Sequence, residues 1–275
     1  MLCTLGTRIV SFRTLLFMAL FAVLMRALPA QTTAGDELNL GVDAYKAAHY
    51  DEAIGHFRKA VELDPGSIMA KAYLATALSQ NVVPNLDTPE NLKTAEAAIG
   101  VFQDVLAVRP HDVNSMKQVA GIYFNIKQLD EAKAWQLKVL AEDPSDAEAA
   151  YTVGVIDWTL SYQNALKALL AAGFNDDGKG NTAAPASVMD EIRQENSELV
   201  PEAVRYLSLA VQLRPTYDDA MQYLNLAYRR KADLDRDNEG ALAEDLSAAQ
   251  EWTRKAMEAH KAKEESRNNS GSPQP

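Results

Sequence analysis

Cysteine is almost absent from this chain. The single one, Cys3, sits in an N-terminal stretch that reads as a leader, so the remainder has no disulfide, no thiol nucleophile and no cysteine for a lipid anchor. Basic charge is also short, with 27 Lys and Arg against 38 Asp and Glu. No basic stripe exists to neutralise phosphates, which excludes nucleic acid as a partner. Aromatics make up only 7 %, and abundant alanine suits close-packed helices better than strands. Catalytic motifs are missing as well. His49, His56, His111 and His260 form no short metal-ligand spacing, there is no G-x-S-x-G elbow, and Gly178-Lys179-Gly180 reads as a turn. The chain therefore reads as a non-enzyme with no cofactor and no small-molecule substrate.

Long apolar runs are missing too. The longest uncharged stretch near the start, Thr14 to Met25, is bounded by Arg13 and Arg26, and a membrane-spanning helix needs about 20 residues. Arg8 and Arg13, this short apolar centre and Leu28-Pro29-Ala30 together read as a secretory signal peptide over 1–30. Its removal takes three arginines and no acid, leaving 24 basic against 38 acidic residues, a net charge of −14. The expected location is the periplasm or the cell exterior, with membrane contact only if the leader is retained.

What the chain does have is a period. Pro65, Pro110, Pro144 and Pro215 each close a similar phrase: AVELDP, VLAVRP, VLAEDP and AVQLRP. The interval from Pro110 to Pro144 is 34 residues; the other two, 45 and 71, are that length plus insertions of 11 and 37. Such a period marks stacked helix-turn-helix units. In the first unit Leu40-Gly41 sits mid-helix, Asp51 is placed to cap the second helix, and Ala53, Phe57 and Ala60 fall on one face of it.

These residues resemble the tetratricopeptide repeat family. The matching positions are Leu40, Gly41, Ala53, Phe57, Ala60 and Pro65; then Leu74, Ala75, Ala98, Phe102 and Pro110; then Val119, Ala120, Tyr123, Leu129, Ala132, Val139 and Pro144. A fourth set is Val153, Gly154, Ala203, Leu207, Ala210 and Pro215, and a fifth is Leu224, Tyr228, Ala249 and Ala256. The family's tryptophan is replaced in every unit, by Glu37, Lys71, Met116, Ala150 and Met221. The resemblance implies an all-α, right-handed superhelical array, an α-solenoid of about five units over residues 31–263.

Three units carry extra residues between their helices, near 81–92, 161–197 and 231–242. Thr88 and Pro89 signal a helix start in the first of these. In the second, NDDGKGNTAAPAS is turn-rich and expected to be mobile. Insertions at one point of a repeat should line one edge of the array. Residues 264–275 are polar and expected to form a disordered tail. Asp233, Asp235, Asp237 and Glu244 have the acidic spacing of a calcium loop, although Asn238 stands where that loop needs glycine. An acidic solvated loop is the competing account.

In the family resembled, the concave face of the first helices holds the partner. Carried onto this chain, that face comprises Tyr45, Lys46, Asn114, Lys117, Phe124, Asn125, Tyr151, Trp158, Gln222, Arg229 and Arg230. Arg229 and Arg230 face either an acidic partner or Asp233 and Asp237 nearby. Burial against the insertion is the alternative for Tyr151 and Trp158. Leu38 and Val42 stand where chaperone-binding members grip a terminal carboxylate, which argues against that subclass. The function implied is a protein-protein interaction scaffold holding a peptide or partner protein. Alternatives are a structural envelope component acting through its insertions, and a calcium-modulated binding module.

Overall fold

The structure, a computed structural model, describes residues 32–270; the leader reading at 1–30 lies outside them. Among the described residues there are eleven α-helices and no strand. None of these helices is long and apolar enough to cross a membrane. The chain divides into two compact units between Ala70 and Lys71.

The first unit contains the hairpin of α1 (Ala34–Lys46) and α2 (Tyr50–Leu63). Thr33 and Asp36 form a reciprocal capping box at the start of α1. The turn closes with Ala48 at φ 60°, its N–H bonded to Tyr45 O, while His49 N–H reaches Ala44 O. This is a left-handed helix ending that satisfies carbonyls left open by the last turn. α2 begins at Tyr50 with His49 as its cap position, two residues before the start that would make Asp51 its cap. Asp51 instead lies in the first turn, where its charge still favours the helix dipole. Ala53, Phe57 and Ala60 are fully buried. A Cβ on Gly41 would stand 2.5 Å from the Phe57 ring, so glycine is what lets the two helices meet there. Leu40, a repeat position expected inside, is 47 % exposed.

After α3 (Ile68–Gln80), the second unit continues through α4 (Pro89–Val108), α5 (Val113–Asn125) and α6 (Leu129–Glu142). Then come α7 (Ala147–Ala171), α8 (Ala186–Asn196), α9 (Leu199–Leu213), α10 (Asp218–Leu234) and α11 (Glu239–Ser270). The α5–α6 turn repeats the geometry of the first hairpin. Lys127 has φ 62°, and its N–H and that of Gln128 bond Phe124 O and Tyr123 O. Helices pair as α5 with α6, α7 with α9 and α10 with α11, and the pairs stack in chain order. The repeat residues Phe102, Val119, Ala120, Val139, Val153, Leu207, Ala210, Leu224, Ala249 and Ala256 are all buried. The fold is thus the all-α array of helix-turn-helix units that the period implied.

The insertions behave differently from one another. Thr88 caps α4 and Pro89 occupies its first turn, as the dipeptide signals. α7 does not stop at the repeat boundary but runs 25 residues, carrying part of its insertion as a continuous helix. Ala165, Ala168 and Leu169 on this extension form a separate core with Ala184, Met189 and Ile192. The expected disordered tail is helical as far as Ser270. Ion pairs four residues apart, His260 with Glu264 and Lys261 with Glu265, lie along that last stretch.

Candidate partner-binding surface

In the first unit, Tyr45 is half-buried with its ring 5.4 Å from that of Tyr50, and burial raises its pKa. Lys46 is exposed in the last turn of α1. The remaining expected groove residues belong to the second unit, and the structure sorts them into three places.

The first is an edge cleft of about 460 Å³ whose lining includes Asn85, Phe124, Lys127, Thr159, Leu160 and Gln163. Phe124 is 38 % exposed. Loop 81–88 reaches this cleft because Asn85 N–H donates to Asn125 O at 2.8 Å. The loop itself is held by Asn91, whose side chain accepts from Val83 N–H and donates to the carbonyls of Val83 and Leu86. Two insertions therefore meet here, one at its tip and one at its base. Asn114 is exposed on the same helix as Phe124. Lys117 is not available for a partner in the way expected. Its ammonium donates to Asp146 at 2.7 Å, and Asp146 is the N-cap of α7.

The second place is a run of aromatic rings between α7 and α10. Tyr151 lies 4.9 Å from Tyr217 and 5.8 Å from Tyr223; Trp158 lies 5.1 Å from Tyr223 and is stacked on Tyr162 at 5.4 Å. Burial, reinforced by the neighbouring hydroxyls, raises the Tyr151 pKa above the ordinary tyrosine range. Tyr151 and Trp158 are half-buried and pack mainly on Tyr217 and Tyr223 of the neighbouring repeat, with Tyr162 at the base of the insertion touching only Trp158 of the two. Gln222 is exposed and lines a smaller cleft of about 260 Å³ with Asn225, Thr253 and Met257.

The third place overturns two expectations together. Arg230 is only 3 % exposed, and its guanidinium donates to both oxygens of Asp176, at 2.7 and 2.8 Å. It also pairs with Asp233 at 2.9 Å. Arg229 donates to Gly178 O at 3.0 Å and to Asn225. Both arginines are engaged by the loop after α7, Arg230 buried and Arg229 half-buried. That loop, expected to be mobile, is pinned. Asn181 donates to Asp233 at 2.8 Å, Arg236 donates to Ala184 O at 2.9 Å, and Arg193 bridges to Leu234 O and Asp237.

The four carboxylates with calcium-loop spacing do not converge. Asp233 is buried on Arg230 and Asn181, Asp235 pairs with Lys231, Asp237 with Arg193, and Glu244 is exposed on α11. Among the described residues no three acidic, histidine or cysteine side chains are grouped to hold a metal. Burial pushes the Asp233 pKa up to about 7 against the opposing pull of Arg230.

Sequence reasoning did not find the cluster joining α6, α7 and α9. Lys133 donates to Asp157 and Glu202, both at 2.7 Å, and Asp157 is fully buried. Burial pushes Asp157 up to about 6, although the lysine pulls the other way. Nothing in the spacing of these residues signals the contact, since Lys133 and Glu202 are 69 positions apart.

Two segments, residues 38–67 and 118–146, match the tetratricopeptide repeat family. A curated relative, Protein STIP1 homolog from Dictyostelium discoideum, is 32 % identical over 122 residues. The match covers 44 % of this chain and only 21 % of that protein. Among solved structures, a MamA protein superposes with a TM-score of 0.56 at 14 % identity, covering 84 % of this chain and 94 % of that one. MamA from Desulfovibrio magneticus RS-1 gives 0.51 at 18 %, covering 80 % and 95 %. YrrB, described as a TPR protein with an unusual peptide-binding site, gives 0.50 at 15 %, covering 89 % and 97 %. At these identities the likeness establishes the fold.

Proposed function

We propose that this chain is a non-catalytic scaffold that holds a peptide segment of a partner protein, and that it works outside the cytoplasm. The observation that carries the binding reading is the edge cleft at Phe124. A large aromatic left more than one-third exposed beside Leu160 supplies an apolar anchor. Asn85 and Gln163 in the same lining offer amides that can bond a peptide backbone. The cleft is built on α5 and α7 and on a loop locked by Asn91, so little order has to be gained on binding. The repeats at 38–67 and 118–146 and the peptide site named for YrrB support the same kind of partner. Export is supported by the leader-like residues 1–30.

The test is affinity capture by the tagged mature chain from its own envelope fraction. Phe124→Ala with Gln163→Ala should reduce recovery of the specific partner about tenfold or more, the loss expected from one truncated anchor, with helicity by circular dichroism unchanged. Equal recovery by the double variant would refute the cleft. Fractionation with N-terminal sequencing tests export, which predicts a product beginning near residue 31 outside the cytoplasm.

A further inference from the structure

The loop between α7 and α8 is built in two parts. Its ends are apolar and belong to the insertion's own core. Phe174 packs against the cluster of Ala165, Ala168, Leu169, Met189 and Ile192, and Ala184 is part of it. Its middle, residues 175–183, reads NDDGKGNTA and brings no large apolar side chain. Polar contacts hold that middle against α10 and the turn after it.

Those contacts have a common character. Arg230 grips the carboxylate of Asp176 through both oxygens. Arg229 takes the carbonyl of Gly178, and Arg236 takes the carbonyl of Ala184. Asp233 accepts the amide of Asn181. What these contacts hold is a compact turn: Gly178, Gly180 and Asn181 have positive φ, and the Asp177 carboxylate accepts the N–H groups of Lys179 and Asn181. The fit also includes a steric demand. Gly180 has φ +97°, and a Cβ there would stand 2.7 Å from Leu242 Cδ1 and 3.2 Å from Ala232 O. The surface therefore accepts an acidic residue, then a glycine four positions on, then an amide residue.

We propose that this loop is a built-in ligand covering a second docking surface, and that a partner's acidic turn of the same pattern binds by displacing it. The proposal rests on the reading of this chain as a peptide-holding scaffold and names the partner chemistry at a different place from the Phe124 cleft. Two features make displacement workable. The loop's ends stay fixed in the insertion core, so lifting its middle leaves α7 and α8 packed. Arg230, buried and charged, keeps Asp233 beside it when the loop lifts, and an incoming carboxylate replaces the one it loses with Asp176. Tethering gives the loop an effective concentration on the order of millimolar, which an outside segment must overcome.

The experiment uses the full chain with residues 175–182 replaced by a Gly-Ser stretch of equal length, and a labelled peptide of residues 174–185 as the probe, followed by fluorescence anisotropy. Saturable binding to this variant, at least about tenfold weaker to the wild type, is the expected result. A probe carrying Asp176→Ala should not bind. Absence of binding by a variant that melts like the wild type, or equal binding to both chains, overturns the proposal. Should the variant not fold, trypsin cleavage after the exposed Lys179 decides. Asp176→Ala in the otherwise intact chain should be cut about tenfold faster with unchanged helicity, the increase expected when a tethered contact is released. An unchanged rate counts against displacement. Loss of peptide binding with the Phe124-dependent capture intact refutes this inference alone; the reverse pattern refutes the reading beneath it.

Discussion

Two glycines on helix faces have opposite surroundings, and that difference decides what a methyl group does at each. At Gly154 a Cβ would meet Leu207 Cγ at 2.6 Å and Ala203 O at 3.1 Å. At Gly100 nothing lies within 4 Å. Alanine favours a helix over glycine by about 1 kcal/mol, whereas overpacking costs about 1–3 kcal/mol. Gly154→Ala should therefore lower the melting temperature, and Gly100→Ala should raise it by up to the propensity gain. Thermal melts of the two variants check this; a stabilised Gly154→Ala would mean that α7 and α9 are not in close register. Asp157 gives a second prediction at this scale. Its folded-state pKa of about 6, pushed up by burial, exceeds the ordinary 3.8. The folded chain thus binds this proton more tightly than the unfolded chain does. The resulting stabilisation is complete below about pH 4 and is lost as pH rises through about 6. Asp245 at about 6 and Asp233 at about 7, both raised mainly by burial, act in the same direction. The wild-type melting temperature should fall between about pH 4 and 7, and Asp157→Asn should flatten that fall; an identical slope in the variant contradicts the assignment. The two kinds of residue differ in legibility. Gly154 could be read from its place in the repeat. Asp157 could not, because a buried carboxylate is defined by partners on other helices.

At the scale of elements, local chemistry marked boundaries unevenly: α2, α4, α6 and α9 each end two residues before Pro65, Pro110, Pro144 and Pro215, whereas Asp51 did not mark the start of α2. Thr88-Pro89 announced α4 because a cap and a first-turn proline act within a few residues. The loop before it carries no comparable signal. Its three hydrogen bonds to Asn91 depend on a side chain eight residues away that carries no turn signature of its own. Asn91→Ala should cost about 1–3 kcal/mol, the range for leaving buried backbone groups unpaired. It should speed amide exchange over residues 82–87 while leaving α5 and α6 protected. Uniform exchange across all these segments would show that Asn91 does not hold the loop. The 172–185 loop shows the same limit more sharply. Glycine, aspartate and asparagine suggest flexibility when counted along the chain, yet Arg230 is 54 positions from the Asp176 it binds. The continuation of α11 to Ser270 was missed for the opposite reason: low apolar content hid pairs such as Lys261 with Glu265 that support a helix from its surface.

For the whole molecule, the repeat period was the legible part. A 34-residue spacing of proline-closed phrases fixes helix count, pairing and the buried small residues, since each unit must bury its face on a neighbour. The binding surface was legible only in part. Phe124, carried over from the concave face of the family resembled, is exposed and lines an open cleft. Lys117 and Arg229 are satisfied at home, by Asp146 and by the inserted loop, and Arg230 takes Asp233, the nearby acid its spacing allowed, together with Asp176. Insertions therefore do more here than lengthen loops: they build the cleft at Phe124 and cover the arginines of α10. The most direct test of the scaffold account places a photocrosslinking amino acid at position 124 in the full chain and, as a control, at the exposed Gln250 on α11. The account predicts one discrete crosslinked protein from position 124, absent at 250 and suppressed by Gln163→Ala. No crosslink at 124, or the same products from both positions, would contradict it.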